Sequence, residues 1–132
     1  MRSFHLIFGL LVVVVFLLTG QYMDRFYNHL EGMADGPRMM FRSRHIYILF
    51  AGLLNLCIGV YFRQGREAWR RALQWTGSGL IVLATTLLVA AFFYEPKLEH
   101  LQTPLSRWGL YLIFAGTFFH LFSDAQTKRE AD

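Results

Sequence analysis

The sequence predicts an all-α fold, an integral membrane four-helix transmembrane bundle, on three observations. Hydrophobic residues fill 55% of the 132 positions and charged residues only 17%, below the roughly 25% of a soluble domain. The charges cluster between four apolar runs instead of spreading over every element, as they do where each element has a wet face. Those runs are 18 to 22 residues long and do not alternate apolar with polar, which excludes the short dyad-patterned strands of a membrane barrel. A buried helix of a soluble bundle keeps a polar stripe, and these runs lack one. In hydrocarbon the backbone must satisfy its own hydrogen bonds, so helices are the default.

The first span is expected over residues 4–22, where LIFGLLVVVVFLLTG carries a single titratable neighbour, His5. It needs about 20 residues at 1.5 Å each to cross. Arg2 before it resembles the start of a signal peptide, but the apolar core is long and no A-x-A-like site follows, so a retained span is expected. Residues 23–43 form an interfacial loop. Phe26, Leu30 and Met33 recur there at helical spacing, which suggests an extension of the first helix. Asp35-Gly36-Pro37 is expected to break that helix.

The second span is expected over 45–62 with Ser43 as its N-cap, and the third over 73–94 behind the basic stretch RQGREAWRRALQW. Glu95-Pro96 stops the third. The fourth span, 105–122, opens on Thr103-Pro104, a cap residue followed by proline at the first helical position. Residues 123–132 form a polar tail that is expected to fray. Tyr22, Tyr47, Tyr61, Trp69, Trp75, Tyr94 and Trp108 all fall near predicted span edges, as interfacial aromatics do. The whole of 1–132 therefore reads as one membrane domain, with no internal repeat.

The net charge is +4, and the basic residues sit at the ends of apolar runs. That placement points to headgroups and topology control, not to nucleic acid. Arg63, Arg66, Arg70 and Arg71 crowd one short loop, which favours both termini in the cytoplasm and, for location, a bacterial inner membrane. Cys57 is the only cysteine, so no internal disulfide braces the fold, and it is expected to pack as a small apolar residue.

Candidate chemistry is sparse. On the second span His45, Gly52 and Gly59 recur every seven residues and share a face, with Asn55 nearby. On the fourth, Gly109, Gly116 and His120 share a face. A glycine stripe admits close approach by another helix or by a haem macrocycle held through histidine. His45 and His120 lie near opposite membrane surfaces and cannot ligate one iron within a chain. His5 and His120 share one side, and His45 shares the other with His100 and His29. These four, His5, His45, His100 and His120, are the candidate ligands of a b-type haem. Met23, Met33, Met39 and Met40 offer a copper(I) alternative, against which Arg38, Arg42 and Arg44 intrude. Arg42, Arg44 and His45 face Glu95 or Glu99 across the same side, where they suit lipid phosphates, propionates or a quinone.

No Asp, Glu, Lys or Arg falls at mid-span, which argues against ion-coupled transport. No H-E-x-x-H, G-x-S-x-G or P-loop occurs, so an enzyme is not expected. Two functions remain open. One is haem-based electron transfer with a quinone as redox partner. The other is a non-catalytic accessory, assembly or lipid-interacting subunit. Gly52, Gly59, Gly109 and Gly116 are expected to mediate helix packing and, through a surplus of small residues, association with a second copy or another membrane protein.

Overall fold

The computed structural model describes residues 1–98 and 100–129, with side chains as far as Ser123. Four helices and no strands are present among the described residues: α1 (Arg2–Tyr27), α2 (Asp35–Tyr61), α3 (Ala68–Tyr94) and α4 (Pro104–Arg129). They run up and down in sequence order. α1 packs tightly on α2 and α3 on α4, and the two hairpins join along α2 and α3.

Among the described residues, α1, α2 and α3 are long and apolar enough to cross a membrane. α4 is as long, 26 residues. Arg107, Tyr111, Thr117 and His120 dilute its apolar run, which leaves it less apolar than the other three.

Every helix is longer than its apolar run. α1 continues through the amphipathic segment to Tyr27 and ends at Asn28 in a left-handed conformation. His29 and Leu30 follow with positive φ of 56° and 66°. Such conformations cost roughly 1–2 kcal/mol per non-glycine residue. The turn drives Leu30 into the core beside Phe41, and burying a leucine side chain is worth roughly 1.5–3 kcal/mol in return.

Asp35-Gly36-Pro37 starts a helix and does not merely end one. α2 begins at Asp35, ten residues ahead of the expected span, and Pro37 sits in the first turn, where a backbone N–H has no helical acceptor to lose. Ser43 is therefore inside the helix, its hydroxyl donating to the Met40 carbonyl at 3.1 Å, and it is not an N-cap. α3 likewise absorbs the basic tryptophan stretch from Ala68 onward. A 3₁₀ turn at Glu95–Lys97 ends it where Pro96 predicts. α4 opens at Pro104, with the Arg107 amide donating to the Thr103 carbonyl at 3.0 Å. It runs to Arg129, past the expected edge at 122; residues 130–132 of the tail lie outside the described residues.

Two apolar clusters hold the bundle. Val12, Leu30, Phe41, Ile48 and Phe92 join α1, α2 and α3 at one end. Ala51, Ile81, Ala84, Leu88 and Ile113 join α2, α3 and α4 nearer the middle. The outer faces are apolar as well: Ile7, Leu10, Leu11, Leu53, Val60, Phe114 and Phe118 are among the exposed side chains. Cys57, expected to pack as a small apolar residue, is exposed on this outer face.

Candidate functional site: a buried polar chain across four helices

The glycines set the distances between helices. A Cβ on Gly52 would meet Val12 and Val13 of α1 at 3.1–3.3 Å, and one on Gly59 would meet Leu6 at 2.7 Å. On the other hairpin, Gly109 lies against Leu88 and Ala84 of α3, and Gly116 against Gly77 and Ile81. The Gly77–Gly116 contact is reciprocal: a Cβ on either would lie within 2.8 Å of the other's carbonyl oxygen. Gly52 and Gly59 thus face α1, and Gly109 and Gly116 face α3. Both stripes are occupied by neighbours in the same chain, so they give no ground for a second copy.

That close approach brings polar side chains from all four helices into one line. His5 of α1 is fully buried. Its Nδ1 lies 2.8 Å from Asn55 Oδ1 of α2 and its Nε2 lies 2.8 Å from Ser78 Oγ of α3. Ser78 Oγ is also 3.1 Å from His120 Nε2 of α4. Asn55 Nδ2 donates to the Ala51 carbonyl at 2.9 Å and to Thr85 Oγ1 at 3.2 Å. The Thr85 hydroxyl donates to the Ile81 carbonyl at 2.7 Å.

The directions of these bonds follow from chemistry. The Ala51 carbonyl can only accept, so the Asn55 amide nitrogen faces it and the amide oxygen faces His5. A neutral His5 then donates through Nδ1 and accepts at Nε2 from the Ser78 hydroxyl. The remaining bond runs from His120 Nε2–H to Ser78 Oγ. Both imidazoles satisfy the chain in the neutral form, each in one defined tautomer. The His5 and His120 rings stand edge to face with centroids 6.1 Å apart, and the Ser78 hydroxyl bridges their Nε2 atoms. The Nε2 lone pair of His5, the kind of group iron needs, accepts the hydrogen bond of that hydroxyl.

A second polar cluster lies at the opposite end. Arg44 and Glu95 are buried, 6% and 0% exposed. Arg44 Nε donates to Glu95 Oε2 at 2.8 Å and its terminal nitrogens donate to Ser43 Oγ and Ser106 Oγ at 2.8 and 3.2 Å. Ser106 donates to Glu95 twice, backbone N–H to Oε1 at 2.9 Å and hydroxyl to Oε2 at 2.6 Å. The carboxylate thus caps an orphan amide at the start of α4 and neutralises an arginine of α2 together.

His45 is near this end and has a separate environment. Thr19 Oγ1 donates to the Phe16 carbonyl at 2.8 Å and so accepts from His45 Nδ1 at 3.0 Å. The imidazole stacks on Phe16 with centroids 4.1 Å apart. Thr19 follows His5 by fourteen residues on one helix, so His45 and His5 are about 21 Å apart along the axis, as the spacing predicts. Of the four candidate ligands, only His5 and His120 adjoin. His100 is exposed, and His29 pairs with Asp24 at 2.6 Å. Arg44 takes Glu95; Glu99 lies outside the described residues. Met40 is buried, Met39 is exposed, and Met23 and Met33 pack on the apolar cluster, so the methionines do not converge. Among the described residues no group of three or more His, Cys, Asp or Glu could hold a metal ion.

Sequence reasoning missed Ser78, Gly77 and the burial of Glu95. The stretch Thr76-Gly77-Ser78-Gly79 carried a signal, four small residues at the head of an apolar run. No family model matches the chain, and no curated protein or solved structure matches it.

Proposed function

We propose that the chain is a four-span integral membrane protein that acts by contact, as an accessory, assembly or lipid-interacting subunit, with both termini in the cytoplasm. One observation supports this above the others. The polar side chains of His5, Asn55, Ser78 and His120 turn inward and satisfy one another, while the outer faces present Ile7, Leu11, Leu53, Phe114, Phe118 and other large apolar groups. Such a surface suits lipid tails or the helices of a neighbour. The histidines then serve as cross-braces between helices.

Cys57 tests the span, because it is exposed on α2 within the apolar stretch, about one turn before the helix ends at Tyr61. In intact membrane vesicles it should resist a membrane-impermeant maleimide and react once the protein is dissolved in SDS. Rapid labelling in intact vesicles would place that face in water and contradict the reading.

Haem-based electron transfer is the second reading, and the adjoining His5 and His120 favour it. It requires the Ser78 hydroxyl to leave both imidazoles and α1, α3 and α4 to part by the width of a macrocycle. A b-type haem would then take these two residues as axial ligands. A reduced-minus-oxidised spectrum with sharp α and β bands, lost in His120→Ala, would establish it.

A further inference from the structure

We infer that the cavity between α2 and α4 beside the Arg44–Glu95 pair binds a phosphodiester, the anionic headgroup of a membrane phospholipid. The inference rests on the membrane-spanning reading given above and names a ligand for it.

The cavity has a volume of about 280 Å³, with Arg44, Tyr47, Thr103, Ser106, Arg107 and Tyr111 in its wall. Among the described residues no carboxylate lines it. Arg44 is 6% exposed, so it is not an arginine that merely snorkels to water. A guanidinium has five N–H donors, of which Glu95, Ser43 and Ser106 take three. Among the described residues the other two donors of this buried cation at the cavity wall have no hydrogen-bond acceptor. Arg107 adds a second guanidinium, exposed and without an ion-pair partner among the described residues. Tyr47, Tyr111 and Thr103 add hydroxyl groups, which complement phosphate oxygens.

The charge count selects the ligand. Glu95 cancels one of the two guanidinium charges, which leaves a net charge of about one positive unit. A phosphodiester carries one negative charge; a phosphate monoester or free phosphate carries ≈ 1.5 to 2. Guanidinium forks match phosphate oxygens in pairs. Surroundings agree: Trp108 and Tyr111 are exposed and packed edge to face at 6.1 Å, as aromatics at headgroup level are. Phe114, one helical turn further along α4, is exposed on the same helix and offers a surface for acyl chains.

The test uses the full chain purified in neutral detergent and mixed with equimolar phosphatidylglycerol and phosphatidylcholine. Native mass spectrometry reads which lipid stays bound. Phosphatidylglycerol should be retained in preference. Arg107→Gln, an exposed position, should cut its retention roughly tenfold, the scale of a lost hydrogen bond to a charged group. Lys97→Gln, at the same end but outside the cavity, should leave retention unchanged. Equal loss in both variants, or no loss in either, overturns the site. Displacement of the lipid by a millimolar excess of inorganic phosphate overturns the lipid assignment in favour of a free oxyanion. Alkaline carbonate extraction of the same membranes separates the two levels. Protein released by carbonate contradicts the membrane reading itself, whereas protein that stays in the pellet while ignoring Arg107→Gln contradicts only the site.

Discussion

Replacing Gly116 by alanine is the most informative single perturbation of this bundle. The added methyl would lie 2.7 Å from the Gly77 carbonyl oxygen and 2.7 Å from Ile81 Cγ1, with the Ile81 amide nitrogen at 3.2 Å. Ordinary van der Waals contact begins at 3.4 Å, so the α3–α4 crossing must open by about 0.7 Å. Two of the three obstacles are backbone atoms, which cannot rotate away. Overpacking of this kind costs about 1–3 kcal/mol. Opening the crossing also lengthens the Ser78–His120 bond, already 3.1 Å, so the upper half of that range is expected. Two companions calibrate the result. Gly109→Ala meets Leu88 Cδ2 and Cγ at 2.8 and 2.9 Å and the Ala84 carbonyl oxygen only at 3.3 Å; with its one backbone contact looser, it should cost less than Gly116→Ala, about 1 kcal/mol. Gly79→Ala meets nothing within 4 Å and should be neutral or gain up to about 1 kcal/mol of helix propensity. Unfolding of the detergent-solubilised protein by SDS, followed by helical circular dichroism, ranks the three. A Gly116→Ala variant as stable as Gly79→Ala would refute the packing account.

Other parts of the fold give further expectations. His5→Ala leaves Asn55 Oδ1 and the Ser78 hydroxyl buried without their partner and empties a cavity, so a loss of about 2–4 kcal/mol is expected in the same SDS titration. Wild-type stability in that variant would show that the polar chain braces nothing. Arg44→Met alone should destabilise by about 3–5 kcal/mol, because it strands the Glu95 carboxylate. Adding Glu95→Leu should restore much of that loss, and a double-mutant cycle without coupling would contradict the ion pair. Gln74 receives the Gly65 N–H at 3.1 Å and donates to the Arg63 carbonyl at 2.8 Å, tying the α2–α3 loop to α3. Gln74→Leu should therefore speed tryptic cleavage after Arg63 and Arg66 several-fold, and an unchanged cleavage rate would show that the loop is held by other contacts.

The helical class and the order of the apolar runs were legible in the sequence, because long runs without charge have few physical solutions. Helix ends were less legible. Pro37 reads as a breaker, yet proline in a first turn sacrifices no hydrogen bond, so α2 starts ten residues before its apolar run. The shared faces of His45, Gly52 and Gly59, and of Gly109, Gly116 and His120, followed from spacing. Their neighbours did not: spacing along one helix contains no information about which helix fills a groove. Hence Gly77, unremarkable alone, becomes half of the α3–α4 contact. Glu95 looked like a loop residue beside proline. Its burial depends on Arg44 and Ser106, 51 and 11 positions away along the chain. Ser78 became the bridge between two histidines only when three helices met.

In the proposed reading the imidazoles of His5 and His120 brace helices in place of ligating iron. An absorption spectrum tests it most directly, taken on the detergent-purified protein after expression with ample haem, oxidised and then reduced with dithionite. The account predicts no Soret band in either state, with the protein folded and monodisperse. A stoichiometric Soret band that sharpens on reduction, with α and β bands, would contradict it and make the two histidines axial ligands.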